Sequence, residues 1–290
     1  MSPVAIFLPL AAALIYVVGT LFIKRAFAAG ATAAHVNVSA NLAMGLIMQP
    51  LWLFGGVWPV WWQPLCCAAL FFIGQCLTFV AITRGDVSVA TPLMGTKLLF
   101  VSGFNVWLFG FQPTIGWWTS VILSAVAIGL VTMTPGHGKH RAIGTTAAFA
   151  VSAAAFFGLA DILIQQWCTR ATLANFLALM FTANALFSLV WHFLSSSKNP
   201  FPPAPARKSL ATSSALLATQ VLLLALALGA FNNATATNIL YSSRSIWSVV
   251  LAWMAGASFG ARDAEAGHRV MAIRLCGAVL LCVAIFLIVR

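Results

Sequence analysis

Three ionisable side chains stand inside apolar runs of this chain: Lys97 in "TPLMGTKLLFVSGFNVW", Asp161 in "AFFGLADILIQQW" and Arg244 in "TNILYSSRSIWSVV". A charge at the centre of an apolar helix in a bilayer costs about 2.5–3.5 kcal/mol on insertion scales, so three cost on the order of 8–10 kcal/mol unless satisfied. One acid can neutralise one cation. Two cations against one acid leave a positive charge over, and pure structure gives little reason to keep it. Such a charge suits an oxyanion, a carboxylate or a phosphate. Arginine offers a planar bidentate fork and lysine a compact point charge. Asp161 has two readings: it ties helices together through one cation, or it exchanges protons during a working cycle.

Polar companions recur at helical spacing. Asn238, Tyr241, Arg244, Ser245 and Ser248 share one face at 100° per residue. Phe157, Asp161, Gln165 and Cys168 stack at intervals of three and four, as do Tyr16 and Thr20. The chain has only two tyrosines, Tyr16 and Tyr241, and both lie deep in apolar runs rather than at their ends. Asn41, Asn184, Gln75 and Gln220 add amides from four further segments. Lys97, Arg244, Tyr241, Asn238, Tyr16, Asn41, Asn184, Gln75 and Gln220 therefore form the candidate substrate-binding set, with Asp161 as a coupling or structural ion-pair residue. Each amide reads equally well as an interhelical hydrogen bond, worth about 0.6 kcal/mol in a membrane. Pro92, five residues before Lys97, is expected to kink its helix at the depth of that lysine.

No metal or cofactor site is expected. His137 and His140 have a ligand-like spacing but no partner cluster, and the six cysteines lie in apolar runs as small core residues. The five histidines are scattered, and none pairs with an acid in sequence, which argues against an enzyme.

The elements that must position these groups follow from composition. The 290 residues are 62% hydrophobic and 7% charged, with a mean hydropathy of +0.99. A soluble domain carries about a quarter charged residues, so the natural solvent of this chain is lipid. Its net charge of +11 is spread without a basic tract, which excludes nucleic acid as the obvious partner. Apolar runs bounded by Gly, Pro or charge predict an all-α membrane protein with ten spans, near 4–27, 35–55, 64–84, 87–110, 115–133, 144–169, 173–195, 209–231, 234–258 and 269–289. The first is read as a retained span, because no basic n-region or clear cleavage site precedes it. Lys24, Arg25, Arg84, Lys139, Arg141, Lys198, Arg207, Lys208, Arg262 and Arg269, ten in all, fall at the odd-numbered connections. The positive-inside rule then puts those connections in the cytoplasm and both termini outside. Arg274 lies near enough to a span end to snorkel. Tryptophan-rich "VWPVWW" and "GWW" fit interfacial anchors.

The first five spans are echoed in the last five at a slowly rising offset. Tyr16 and Gly19 answer Phe157 and Ala160 at 141, Ser39-Ala40-Asn41 answers Thr182-Ala183-Asn184 at 143, Gln75 answers Gln220 at 145, and Lys97 answers Arg244 at 147. Loop insertions that accumulate along the chain explain such a drift. Five is odd, so the two halves must run in opposite senses through the bilayer, an inverted repeat of the kind that builds secondary transporters. The expected organisation is a first five-helix repeat over 1–133, a loop over 134–143 and a second repeat over 144–290.

Two five-helix halves, the pattern "ALIYVVGTLFIKRA" in span 1 and the matched pairs of spans 3–4 and 8–9 resemble the drug/metabolite transporter superfamily, EamA-like branch. Members carry a glutamate just after spans 4 and 9. This chain has Asp263 and Glu265 in "SFGARDAEAGHR" and only Gln112 in "WLFGFQPTIGWW". The resemblance implies an integral, multi-pass protein of a bacterial inner membrane that moves small metabolites by alternating access. Its partners would be a small-molecule substrate and the bilayer, with proton coupling and a monomer or homodimer both compatible. Joined to the residue reading, the expected cargo is anionic or zwitterionic. The alternatives are export of neutral or cationic amphiphiles with Asp161 as the binding charge, or, in another class, a membrane-embedded enzyme or a channel.

Overall fold

Long stretches of Ala, Leu, Ile, Val and Phe satisfy their backbone groups internally only as helices when lipid surrounds them. The computed structural model describes residues 2–84, 93–132, 143–194, 201–255 and 268–289. Among these it forms eleven α-helices and one 3-10 turn, with no strand. They are α1 (Pro3–Ala28), α2 (Ala33–Met48) running into the 3-10 turn Gln49–Phe54, α3 (Trp62–Arg84), α4 (Lys97–Phe109), α5 (Ile115–Thr132), α6 (Ile143–Trp167), α7 (Leu173–Leu194), α8 (Ala204–Phe231), α9 (Ala234–Tyr241), α10 (Arg244–Ala255) and α11 (His268–Val289). With α9 and α10 counted as one interrupted span, ten spans stand near the expected positions. Among the described residues, five helices are long and apolar enough to cross a membrane: those over Pro3–Ala28, Gly144–Trp167, Leu173–Leu194, Ala204–Phe231 and Ala272–Val289. Pro92, His137, His140, Asp263, Glu265 and nearly all of the 134–143 loop lie outside the described residues.

Turn chemistry explains the tight connections. Ser2 caps α1 by accepting the Ala5 N–H, with Pro3 in the first turn. Thr32 and His35 close a reciprocal capping box at the start of α2. Asn232, at φ 53°, ends α8 in the left-handed region, and Asn233 then caps α9 through the Ala236 N–H.

Packing is pairwise. α1 lies along α8 and α3 along α6, while α2 crosses α7 and α8. α7 also touches α3, α5 packs on α11, α4 on α6, and α1 on both α9 and α10. The main core, with Met48, Ile162, Phe176, Phe181 and Leu228, sits where α2, α3, α6, α7 and α8 meet. Close crossings use glycine. A Cβ on Gly45 would come within 2.8 Å of the Ala185 Cβ, and one on Gly158 within 3.0 Å of the Phe100 Cβ and 3.2 Å of the Val101 backbone nitrogen. Arg274 corrects the sequence expectation: it is buried at 8% exposure instead of reaching out from a span end. Its helix, α11, packs along α5.

Candidate charged site at two interrupted helices

Spans 4 and 9 are broken at the same place relative to their cations. In span 9, α9 ends at Tyr241, Ser242 and Ser243 form a turn, and Arg244 begins α10. In span 4, Leu93 and Met94 are helical, Gly95 and Thr96 turn, and Lys97 begins α4. The kink expected at Pro92 lies outside the described residues; the described interruptions fall where "GT" and "SS" precede the two cations. Those doublets are a signal that was readable at the offset of 147.

A cation in the first turn of a helix is misplaced, because the N-terminal end of the helix dipole already favours negative charge. Each therefore needs an anion. Lys97 has one: its Nζ lies 2.7 Å from Asp161 Oδ2 on α6. Asn238 Nδ2 donates to the same oxygen at 2.7 Å and to the Ala234 carbonyl at 2.9 Å. Gln165, one turn along from Asp161, accepts the Ala234 N–H at 2.6 Å, which satisfies the first turn of α9. The face predicted on α6 thus holds α9 in place through Asp161 and Gln165. The pair is not sealed, since the Lys97 side chain keeps 21% of its exposure against 6% for Asp161.

Arg244 has a different environment. Its guanidinium carbon sits 4.8 Å from the centre of the Tyr16 ring and 4.7 Å from that of Tyr241, and Nη1 donates to the Tyr241 hydroxyl at 3.2 Å. The two rings meet edge to face at 6.1 Å. Aromatic faces stabilise a cation without neutralising it. Among the described residues the guanidinium spends one of its five N–H donors. Asp161 is the one acidic side chain among the described residues, and Lys97 occupies it. Of the two cations, Arg244 is the one without a carboxylate among the described residues.

The remaining candidates divide. Asn238, Tyr241 and Tyr16 gather around the two cations. Asn41, Asn184 and Gln75 instead bond one another on α2, α7 and α3. Asn41 Nδ2 donates to Gln75 Oε1 at 3.0 Å, Gln75 Nε2 returns a bond to Asn41 Oδ1 at 2.9 Å, and Asn184 Nδ2 donates to Asn41 Oδ1 at 2.9 Å. Asn37, which the sequence reading did not single out, adds an acceptor at 3.0 Å. Its position one helical turn before Asn41 was the available clue. Gln220 is buried on α8 and makes no hydrogen bond among the described residues. A groove on the outer face of α11, lined by Leu275, Val279, Cys282 and Phe286, is apolar and remote in character from this chemistry. No group of three or more metal-ligating side chains occurs among the described residues.

With this geometry in view, the comparisons fall into place. The model of the EamA-like transporter family matches residues 3–133. The first half carries an EamA segment. That segment holds α1 to α5 and with them Tyr16, Asn41, Gln75 and Lys97. Solved structures extend the likeness in shape beyond the EamA segment: 28 chains match. One crystal structure superposes with a TM-score of 0.72 at 14% identity, over 97% of this chain and 96% of that one. At that identity the likeness concerns the fold alone. No curated protein matches the sequence. The family that the segment matches is one of transporters, and the described helices include five long and apolar enough to cross a membrane.

Proposed function

We propose that the protein is a secondary transporter of two inverted five-helix halves that moves a small anionic or zwitterionic metabolite by alternating access. Arg244 is the group that meets its carboxylate or phosphate. The observation that carries this reading is the open guanidinium at the start of α10, held between two tyrosines and lacking a carboxylate among the described residues. Discontinuous helices whose N-termini face anionic substrate groups are a recurrent device of such carriers.

Four features support the inverted repeat. The backbone bonds Thr96 N to Leu93 O, Leu98 N to Gly95 O, Leu99 N to Thr96 O and Phe100 N to Thr96 O recur, 147 residues later, as Ser243 to Leu240, Ser245 to Ser242, Ile246 to Ser243 and Trp247 to Ser243. Lys97 lies 5.9 Å from the Phe157 ring while Arg244 lies over Tyr16, so the cation of span 4 on the ring of span 6 answers that of span 9 on span 1. Exchanging the halves also maps the helix pairings onto themselves: α1 with α8 becomes α6 with α3, and α4 with α6 becomes α9 and α10 with α1. Asn41 bonds its own echo, Asn184, as residues beside a two-fold axis would.

Lys97 serves in this reading as the partner of Asp161, able to share the substrate's negative charge only when that pair opens. Proton exchange at Asp161 would require the same opening. Counterflow in proteoliposomes tests the proposal. Carboxylates and phosphates should exchange, and Arg244→Ala should abolish the exchange in a folded protein. Neutral or cationic solutes carried equally well by wild type and Arg244→Ala would overturn it.

A further inference from the structure

The amide cluster is asymmetric in a way the repeat does not require. Asn41 and Gln75 exchange two hydrogen bonds between α2 and α3. Their echoes, Asn184 on α7 and Gln220 on α8, exchange none. Asn184 Oδ1 is buried without a partner, and Gln220, a residue 4% exposed, makes no hydrogen bond among the described residues. A buried acceptor on α7 thus goes unsatisfied, while α8, which touches α7, carries an amide with its hydrogen bonds unspent among the described residues. An unsatisfied buried acceptor costs free energy, and a conformation that paired it would recover that cost.

We propose that these four amides are a partner-exchange latch: Asn41–Gln75 is made in the conformation described here, and Asn184–Gln220 in the oppositely facing one. The inference rests on the inverted-repeat transporter reading. In an inverted repeat the two end states are generated by the halves exchanging conformations, so a contact made in one half and absent in the other is expected to swap. Asn41 and Asn184, bonded to each other at 2.9 Å, stay together as the hinge of the exchange. Gln75 and Gln220 are the two arms. The latch gives each end state the same number of amide bonds, which keeps the two close in free energy, as a cycling carrier needs.

Hydrogen exchange of the full-length protein in nanodiscs reads the populations, by comparing backbone segments at the two ends of the molecule: the Ala29–Ala31 turn and the Gly56–Val57 turn. Methionine is close in shape to glutamine but cannot form the bonds. Gln75→Met should shift the balance away from the described conformation by about eight-fold, two bonds at ~0.6 kcal/mol each. Gln220→Met should shift it by a similar factor the other way, so the two ends change in opposite senses in the two variants. The double variant should return towards wild type. Gln220→Met is decisive, because it removes no hydrogen bond from the described conformation and a merely structural glutamine would leave exchange unmoved. It also stands alone should Gln75→Met fail to fold. Shifts of the same sense in both variants, or none in folded Gln220→Met, would overturn the latch. Counterflow measured on the same samples separates the two claims. Transport with exchange unmoved sinks the latch alone, whereas opposite shifts in a protein that carries no solute support the latch and sink the transporter reading.

Discussion

At the scale of single residues, two cations with the same sequence signature stand in opposite circumstances. Lys97 is bonded to Asp161, so Lys97→Ala strands a buried carboxylate whose remaining described partner is Asn238. The expected cost is about 3 kcal/mol, the lower end for breaking a buried pair because Lys97 is partly exposed. Thermal melting checks this, and adding Asp161→Asn should recover most of the loss. A melting temperature unchanged in Lys97→Ala would mean that the pair contributes nothing. Arg244→Ala should behave differently. It deletes a cation with no described carboxylate, so stability should change by less than about 1 kcal/mol, mostly through the lost tyrosine contacts, while exchange of anionic solutes disappears. Arg244→Lys should restore the charge but not the fork, with KM raised about ten-fold or more and the fold intact.

At the scale of elements, the crossing of α4 and α6 sets the distance between Lys97 and Asp161. Gly158 lies one turn from Asp161 and lets the Phe100–Val101 backbone approach. Gly158→Val should wedge the helices apart and destabilise the protein by about 1–3 kcal/mol. Because it also lengthens the ion pair, its effect should shrink in the Lys97→Ala background, and a double-mutant cycle on melting temperature reads that coupling. Full additivity would show that the crossing does not position the pair. The breaks at Gly95–Thr96 and Ser242–Ser243 belong to the same scale. They bring each cation to the beginning of a half-helix, where the dipole sharpens its need for an anion.

At the scale of the whole molecule, four exposed cations among the described residues gather at one end. Lys24, Arg25, Arg207 and Lys208 are exposed, and the α1–α2 turn meets the start of α8 through Ala26, Ala31, Val36, Ala206 and Leu210. Arg170 lies at a different set of turns, where Val57 N donates to Ala171 O and Arg170 Nε to Ala230 O. The positive-inside rule places the four-cation end in the cytoplasm. A cysteine at position 208 (Lys208→Cys) should therefore resist an impermeant maleimide in right-side-out vesicles and react once they are opened. Reaction from outside would invert the assignment.

The residues by themselves determined the solvent, the number of spans, the candidate charges and the drifting echo, because hydropathy and spacing are recorded locally along the chain. Periodicity also grouped Asn238, Tyr241 and Arg244 on one face, and Asp161 with Gln165 on another. It could not choose between Lys97 and Arg244 as the partner of Asp161, since partner choice depends on which helices cross and at what height. Nor could it separate amides that line a site from amides that bond one another: Asn41, Gln75 and Asn184 fit either reading, and it is the packing of three helices that puts Gln75 and Asn184 within 3.0 Å of Asn41. A one-dimensional pattern states which way a side chain points along its own helix. Only tertiary packing decides what it meets there, and among the described residues that meeting pairs Lys97 with Asp161 and gives Arg244 two tyrosines and no carboxylate.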